Sequence, residues 1–283
     1  MMKFMKYEIK GTYKYILGVL ALVLILTTAL HLYGHKDTSS ISTLDSIFVF
    51  LSVLILFGTA VVTFFYIVGS FKKELSEDRG YLTFTLPLTG NQIVGSKLIV
   101  ALMWFIILGA IILAYNFIII LILNSFDAQT WTIIKETFSG LGQIISLQEI
   151  ISMILIPIFS LINLLVLIYF SMALGKVTFR NKKIGGLWFI IFILVSIILS
   201  YGQLKVAELI PYYFNVKDMS IGKVVRFGDM LNNEIMFEVN GGVKLEANRG
   251  ILQMNIGSSI FNILTTIGLF LGTGYLIEKR IDL

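Results

Sequence analysis

Long apolar runs separated by shorter polar stretches dominate this chain. Six of the runs are long enough for a helix that crosses a bilayer, which takes about 20 residues. They cover residues 15–33, 47–71, 98–123, 150–174, 184–201 and 256–277. No run has an acidic or basic residue in its middle. The pattern predicts an all-α integral membrane protein with six transmembrane helices in one domain, residues 1–283.

Composition supports this class and removes others. The chain is 57% hydrophobic and 14% charged, with a mean hydropathy of +0.90, whereas a soluble domain is about half apolar and a quarter charged. It contains no Cys, which excludes thiolate metal sites and cysteine nucleophiles. The net charge of +5 comes from basic residues that flank the apolar runs and form no patch with interleaved aromatics, so we expect no nucleic-acid partner.

The position of the basic residues predicts an orientation. With an even number of spans both termini lie on one side, and short cytoplasmic loops carry the excess of Lys and Arg. The short loops of the other side contain only Lys36 and Lys135. Both termini are therefore predicted to be cytoplasmic, on the side whose short segments hold Lys3, Lys6, Lys10, Lys14, Lys72, Lys73, Arg79, Lys97, Lys176, Arg180, Lys182, Lys183, Lys279 and Arg280.

Two segments outside the spans have patterns of their own. Residues 1–15 alternate basic and apolar positions, which favours a helix lying in the membrane interface over an unstructured basic leader. Residues 203–253 form the longest polar segment and are predicted to be a small extracytoplasmic cap. Within it, alternating residues 234–239 and 243–247 flank Asn240-Gly241-Gly242, a pattern typical of a β-hairpin.

Polar side chains inside the spans are few. Asn116, Asn163 and Asn262 could line a translocation path, or they could hydrogen-bond neighbouring helices as packing contacts. Gly268 and Gly272 form a GxxxG pattern, which permits close helix approach. His31 and His35 lie at the end of the first run; without a clear third ligand we expect no metal site.

The charged segment 72–97 between the second and third runs is predicted to project into the cytoplasm. Helical residues continue past Phe71 to Glu77, and Thr89 with Gln92 forms a capping box that begins a new helix at Gly90. From Gly90 to Leu123 such a helix is about 50 Å long, against about 30 Å of hydrocarbon. Both arms should therefore extend beyond the bilayer and present an apolar stretch, a pattern typical of a docking surface.

Residues 90–97 of this segment also come close to a nucleotide-binding loop. The Walker A pattern requires Lys followed by Ser or Thr, and here Ser96 precedes Lys97. The stretch also leads directly into a membrane helix, whereas a Walker A loop follows a buried strand. The chain is therefore predicted to be no enzyme and to bind no nucleotide itself.

A family resemblance rests on the same segment. The sequence from Glu77 through Gly80-Tyr81-Leu82-Thr83-Phe84-Thr85-Leu86 to Pro87, with Ser96-Lys97-Leu98 after it, resembles the first cytoplasmic loop of bacterial ABC-2 type permeases. The resemblance implies the type V ABC exporter fold in the bacterial cytoplasmic membrane. It implies a second permease copy or a paralogue, and ATP-binding cassette subunits that hold ATP and Mg²⁺. The ATPase-coupling residues that it implies are Glu77, Asp78, Gly80, Tyr81, Leu82, Phe84 and Pro87.

Two other function classes stay open at this point. One is a secondary carrier or channel that acts alone, for which carboxylates inside the membrane would be the discriminating feature. The other is a sensor or anchor whose working part is the cap at 203–253. The transported substrate does not follow from the sequence under any of these hypotheses.

Overall fold

The computed structural model describes residues 1–34, 43–76, 88–123, 131–132, 135–136, 139–140, 145–178, 187–223 and 253–280. Long helices make up almost all of these residues. In chain order they are α1 (Met2–Gly34), α2 (Thr43–Ser76), α3 (Gly90–Leu123), α4 (Leu147–Thr178), α5 (Leu187–Leu209) and α6 (Ile256–Lys279). Each of the six is long and apolar enough to cross a membrane, so the prediction of six long apolar helices is confirmed.

Four of the helices are longer than a bilayer requires. Helices α1 to α4 have 33, 34, 34 and 32 residues, which corresponds to about 50 Å each. Helix α1 runs without interruption from Met2 to Gly34. The structure therefore differs from the predicted separate interfacial helix at residues 1–15: this stretch continues the first span, because one of its faces packs on α3.

The buried side chains concentrate at one end of the bundle. There α2, α3, α4 and α6 share a cluster that includes Phe71, Val94, Leu165, Tyr169 and Ile277. The rings of Phe71 and Tyr169 lie 4.2 Å apart. We call this end of the bundle, where the chain begins and where α2, α4 and α6 end, the basic end. A second cluster, with Ile16, Val100 and Trp104 among its members, joins α1 to α3.

At the basic end, α3 and α6 come into backbone contact at two glycines. A Cβ atom on Gly90 would overlap the carbonyl oxygen of Gly274. The GxxxG pattern of Gly268 and Gly272, which permits close helix approach, lies nearby on α6. A Cβ on Gly268 would meet nothing within 4 Å, and one on Gly272 would lie 3.2 Å from the Phe170 ring. The tightest helix contact of α6 is therefore at Gly274.

At the opposite end, three short strands connect α5 to α6. Strands β1 (Tyr212–Asn215), β2 (Ser220–Lys223) and β3 (Gln253–Asn255) form an antiparallel sheet in the order β2-β1-β3. Apart from this small sheet the described elements are helices, as predicted, and α5 extends to Leu209, further than the predicted 201. The hairpin predicted at 234–247 lies outside the described residues.

Asn255 fastens this sheet to the two helices. Its side-chain Oδ1 accepts a hydrogen bond of 2.7 Å from the Ser258 backbone N–H and so caps the start of α6. Its Nδ2 donates to the carbonyl oxygen of Ile210, 2.9 Å away, just after the end of α5. One side chain therefore links the last two helices.

Replacing Asn255 with alanine should lower the stability of the purified protein by about 1–2 kcal/mol, because a helix cap is lost together with a bond to Ile210. Asn255→Ser is the matched control. Serine still caps the helix but cannot also donate to Ile210, so its loss should be smaller. Thermal unfolding in detergent would measure both variants, and an alanine variant as stable as the parent would contradict the role of the cap.

Candidate functional site

A buried ion-pair cluster joins three helices at the basic end. The ammonium group of Lys97, on α3, lies 2.7 Å from Oε1 of Glu8 on α1 and 2.9 Å from Oε1 of Glu74 on α2. The Lys97 side chain is only 3% exposed, and those of Glu8 and Glu74 are 13% and 17% exposed. We call Glu8, Ser70, Glu74 and Lys97 the Lys97 cluster.

Neutral polar groups surround the cluster and extend it into the bundle. The Ser70 hydroxyl donates to Glu8 Oε1 at 3.2 Å. One turn further along α1, the Trp104 indole N–H donates to the Thr12 hydroxyl at 2.9 Å. These residues, together with Tyr169, line a cavity with room for about one water molecule. Of these bonds, the one from Ser70 gives a partner to a carboxylate that would otherwise be costly to bury.

The cluster contains more acidic than basic side chains. Two carboxylates share one ammonium group, and Glu74 Oε2, although buried, has no hydrogen-bond partner among the described residues. Removing one member of a buried ion pair leaves an uncompensated charge, which is strongly destabilising. The chemistry of the cluster is therefore suited to holding three helices in one fixed arrangement.

The cluster lies near the ends of the two helices that flank residues 77–87 in the sequence. Glu74 is two residues before the end of α2 at Ser76, and Lys97 is seven residues after the start of α3 at Gly90. The ion pair between them therefore fastens the two arms that carry residues 77–87. This brings together two positions that are 23 residues apart in sequence.

The start of α3 is fixed in two further ways. The predicted capping box is confirmed: Thr89 Oγ1 accepts from the Gln92 backbone N–H at 3.3 Å, and Gln92 Oε1 accepts from the Thr89 N–H at 3.2 Å. The Gly90 N–H donates to Glu278 Oε2 on α6 at 3.3 Å. Together with the contact between Gly90 and Gly274, these bonds attach the α3 arm to α6 as well as to α2.

The predicted coupling residues themselves fall in the interval between these arms. Glu77, Asp78, Gly80, Tyr81, Leu82, Phe84 and Pro87 lie outside the described residues. Their role in binding an ATPase stays a prediction. What the structure adds is the base of the segment, formed by the ends of α2 and α3.

The three asparagines predicted for a translocation path do not form one group. Asn116 binds α1, with its Oδ1 3.0 Å from His31 Nε2. Asn163 donates to the Thr266 hydroxyl on α6 at 2.7 Å, and that hydroxyl donates to the Asn262 carbonyl oxygen at 2.7 Å. Asn163 therefore contributes to a contact between α4 and α6, and Asn116 to a contact between α3 and α1. Asn262 accepts only through its backbone carbonyl, within α6. The bonds of Asn116 and Asn163 fit the packing alternative.

Comparisons with models of protein families, with curated proteins and with solved structures gave no significant match for this chain. Over the described residues there is also no group of three or more His, Asp or Glu side chains that could hold a metal ion.

The sequence contains a signal for this cluster, but the overall pattern of basic residues makes that signal hard to recognise. Lys97 is the last charged residue before 26 uncharged positions of the third run, and Glu8 is the only acid among the first 36 residues. The positive-inside rule counts Lys97 only as one more cytoplasmic charge. Its pairing with Glu8 and Glu74 depends on how α1, α2 and α3 pack, which the rule does not address.

Proposed function

We propose that this chain is the membrane-spanning permease subunit of an ABC exporter, an ABC-2 type protein of the bacterial cytoplasmic membrane with both termini in the cytoplasm. It would work as a dimer with a second copy or a paralogue. Separate ATP-binding cassette subunits would hold ATP and Mg²⁺ and drive transport. This chain would move the substrate and hydrolyse nothing itself.

The proposal rests on one observation: the ends of α2 and α3 that flank residues 77–87 are joined to each other. Helices α2 and α3 both exceed the length needed to cross the hydrocarbon core, and the pair Glu74–Lys97 joins them at the basic end. A segment held on two joined arms can pass a push to the spans instead of absorbing it by bending. The sequence of that segment is the part that resembles the ABC-2 loop.

Several neighbouring helices would receive such a push. Glu8 links the cluster to α1, while Gly90 and Glu278 link the α3 arm to α6. Motion of the arms would therefore reach α1, α2, α3 and α6 together. Tight packing favours such transmission, because a close-packed core moves between discrete arrangements and does not deform gradually.

The test is made on the segment itself. In the complex with its ATPase, Tyr81→Ala combined with Leu82→Ala should abolish transport-coupled ATP hydrolysis while the chain still inserts into the membrane, because the apolar docking side chains are gone. Thr83→Ala combined with Thr85→Ala is the matched control from the same segment and should retain coupling. Unchanged coupling in the Tyr81/Leu82 variant would overturn the assignment of this segment.

A carrier that acts alone is the second candidate, and one observation favours it. Carriers driven by protons use titratable groups within the protein's membrane domain, and the Lys97 cluster holds two largely buried carboxyl groups between α1, α2 and α3 at the basic end. The two candidates separate in one measurement. Co-purification of an ATP-binding cassette subunit with the solubilised chain supports the exporter, whereas substrate uptake by vesicles that contain this chain alone, driven by a pH gradient, supports the carrier.

A further inference from the structure

The part of α1 at the basic end has two opposite faces. One face packs into the bundle through Met5, Glu8, Ile9 and Thr12. The other face is exposed and repeats at helical spacing. It carries Lys3, Lys6, Tyr7, Lys10, Tyr13 and Lys14. Six residues at intervals of three and four positions form a single stripe on a helix, so the four lysines point in one direction.

The tyrosines around α1 indicate which part of the stripe meets the lipid headgroups. The rings of Tyr15 on α1 and Tyr66 on α2 stack with their centroids 3.8 Å apart. The Tyr66 hydroxyl donates to the carbonyl oxygen of Gly11 at 3.4 Å. Tyrosines are enriched at the membrane–water interface, where the ring is in apolar surroundings and the hydroxyl in polar ones. The interface therefore lies close to residues 11–15.

The length of α1 gives the same depth independently. About 20 helical residues cover the hydrocarbon core, and counting back that number from Gly34 reaches Lys14. Lys10 and Lys14 then lie at headgroup depth. Lys3, eleven residues before Lys14, lies about 16 Å further along the helix, beyond the headgroups.

The lysines of the stripe are available for a ligand. Over the described parts of the chain, the ion pairs of Lys97 and Lys205 involve Glu8, Glu74 and Glu208, and neither Lys10 nor Lys14 has an ion-pair partner. Glu8, the nearest acid in sequence, points the other way, toward Lys97. Two unpaired ammonium groups four residues apart at headgroup depth, with the Tyr13 ring between them on the same face, match the phosphate of an anionic lipid.

We propose that Lys10, Tyr13 and Lys14 bind the headgroup of an anionic phospholipid at the basic end of α1. The phosphate would lie between the two ammonium groups, and the Tyr13 ring would pack on the glycerol and upper acyl chain. Because the same helix carries Glu8, a lipid bound there would hold α1 against α3 from outside while the Lys97 cluster holds it from inside. The proposal does not depend on the exporter function.

The experiment uses the full chain in detergent with phosphatidylglycerol as the anionic probe and phosphatidylcholine as the neutral one. Native mass spectrometry counts the bound lipids, and thermal unfolding reports their effect on stability. Phosphatidylglycerol should be retained and should raise the unfolding temperature, and phosphatidylcholine should not. Lys10→Gln combined with Lys14→Gln should weaken phosphatidylglycerol binding by about 30-fold, because both headgroup ammonium groups are lost.

Lys3→Gln combined with Lys6→Gln is the matched control, since it removes the same charge from the same face further along the helix. It should leave most of the binding intact. Equal weakening by both double variants would overturn the site in favour of a diffuse attraction. Equal retention of the two lipids, or full binding in the Lys10/Lys14 variant, would overturn it too, the latter leaving the stripe to an acidic protein partner. All four lysines are exposed, so the lipid-free unfolding temperature of each variant should match the parent.

Discussion

Replacing Lys97 with methionine should destabilise the protein by about 3–5 kcal/mol, the cost of breaking a buried ion pair by removing one partner. Methionine fills much the same volume, so the loss reports charge and not packing. Glu8 and Glu74 would remain buried, close together and without their shared ammonium group. Unfolding in mixed micelles with increasing sodium dodecyl sulfate would measure the change.

Two variants make this result specific. Lys205→Met removes a lysine whose partner Glu208 is 2.7 Å away but whose side chain is 51% exposed, and it should cost less than about 1 kcal/mol. Lys97→Met combined with Glu8→Gln and Glu74→Gln should recover much of the stability, because no buried charge is left unpaired. A Lys97→Met protein no less stable than Lys205→Met would refute the structural role of the cluster.

The second large effect is expected where α3 meets α6. Gly274→Ala should destabilise the bundle by about 1–3 kcal/mol, the usual cost of overpacking. The new Cβ would overlap Asn91 Oδ1 and lie 2.9 Å from the Asn91 backbone nitrogen. The side chain of Asn91 can move, but the backbone can shift only if α3 separates from α6. Gly90→Ala should act in the same direction, since its Cβ would meet the carbonyl group of Gly274.

The control for this prediction comes from the same helix. A Cβ on Gly268 meets no atom within 4 Å, and alanine favours a helix over glycine by up to about 1 kcal/mol. Gly268→Ala should therefore leave stability unchanged or raise it slightly. Opposite signs for the two substitutions in thermal unfolding would support the contact, whereas equal effects would contradict it.

The six helices could be predicted from the sequence because each follows from local composition. The start of α3 was equally local, since Thr89 and Gln92 bond to each other across one turn. Local sequence could not predict that residues 1–15 form part of α1. The exposed lysine stripe by itself fits an interfacial helix, and only the opposite face, where Glu8 reaches Lys97 on α3, keeps this stretch aligned with the first span.

The remaining differences also come from contacts between distant residues. Strand β3 has three residues, too few to produce a visible alternation, and it forms because β1 offers a free edge. The tight glycine contact forms at Gly274 and not at Gly268, because it depends on which residue of α3 lies opposite each glycine. Gly90 and Gly274 are 184 positions apart in the sequence, so no local pattern relates them.

The link through Asn255 has a consequence for how the chain is assembled during synthesis. Strand β1 can pair with β2 as soon as Lys223 has been made, but β3 follows only at Gln253. The bond from Asn255 to Ile210 then closes a loop of 45 residues immediately before the last helix. The sheet is therefore completed only when the chain has reached α6, and a chain that stops earlier leaves one edge of β1 unpaired and open to pairing with another strand.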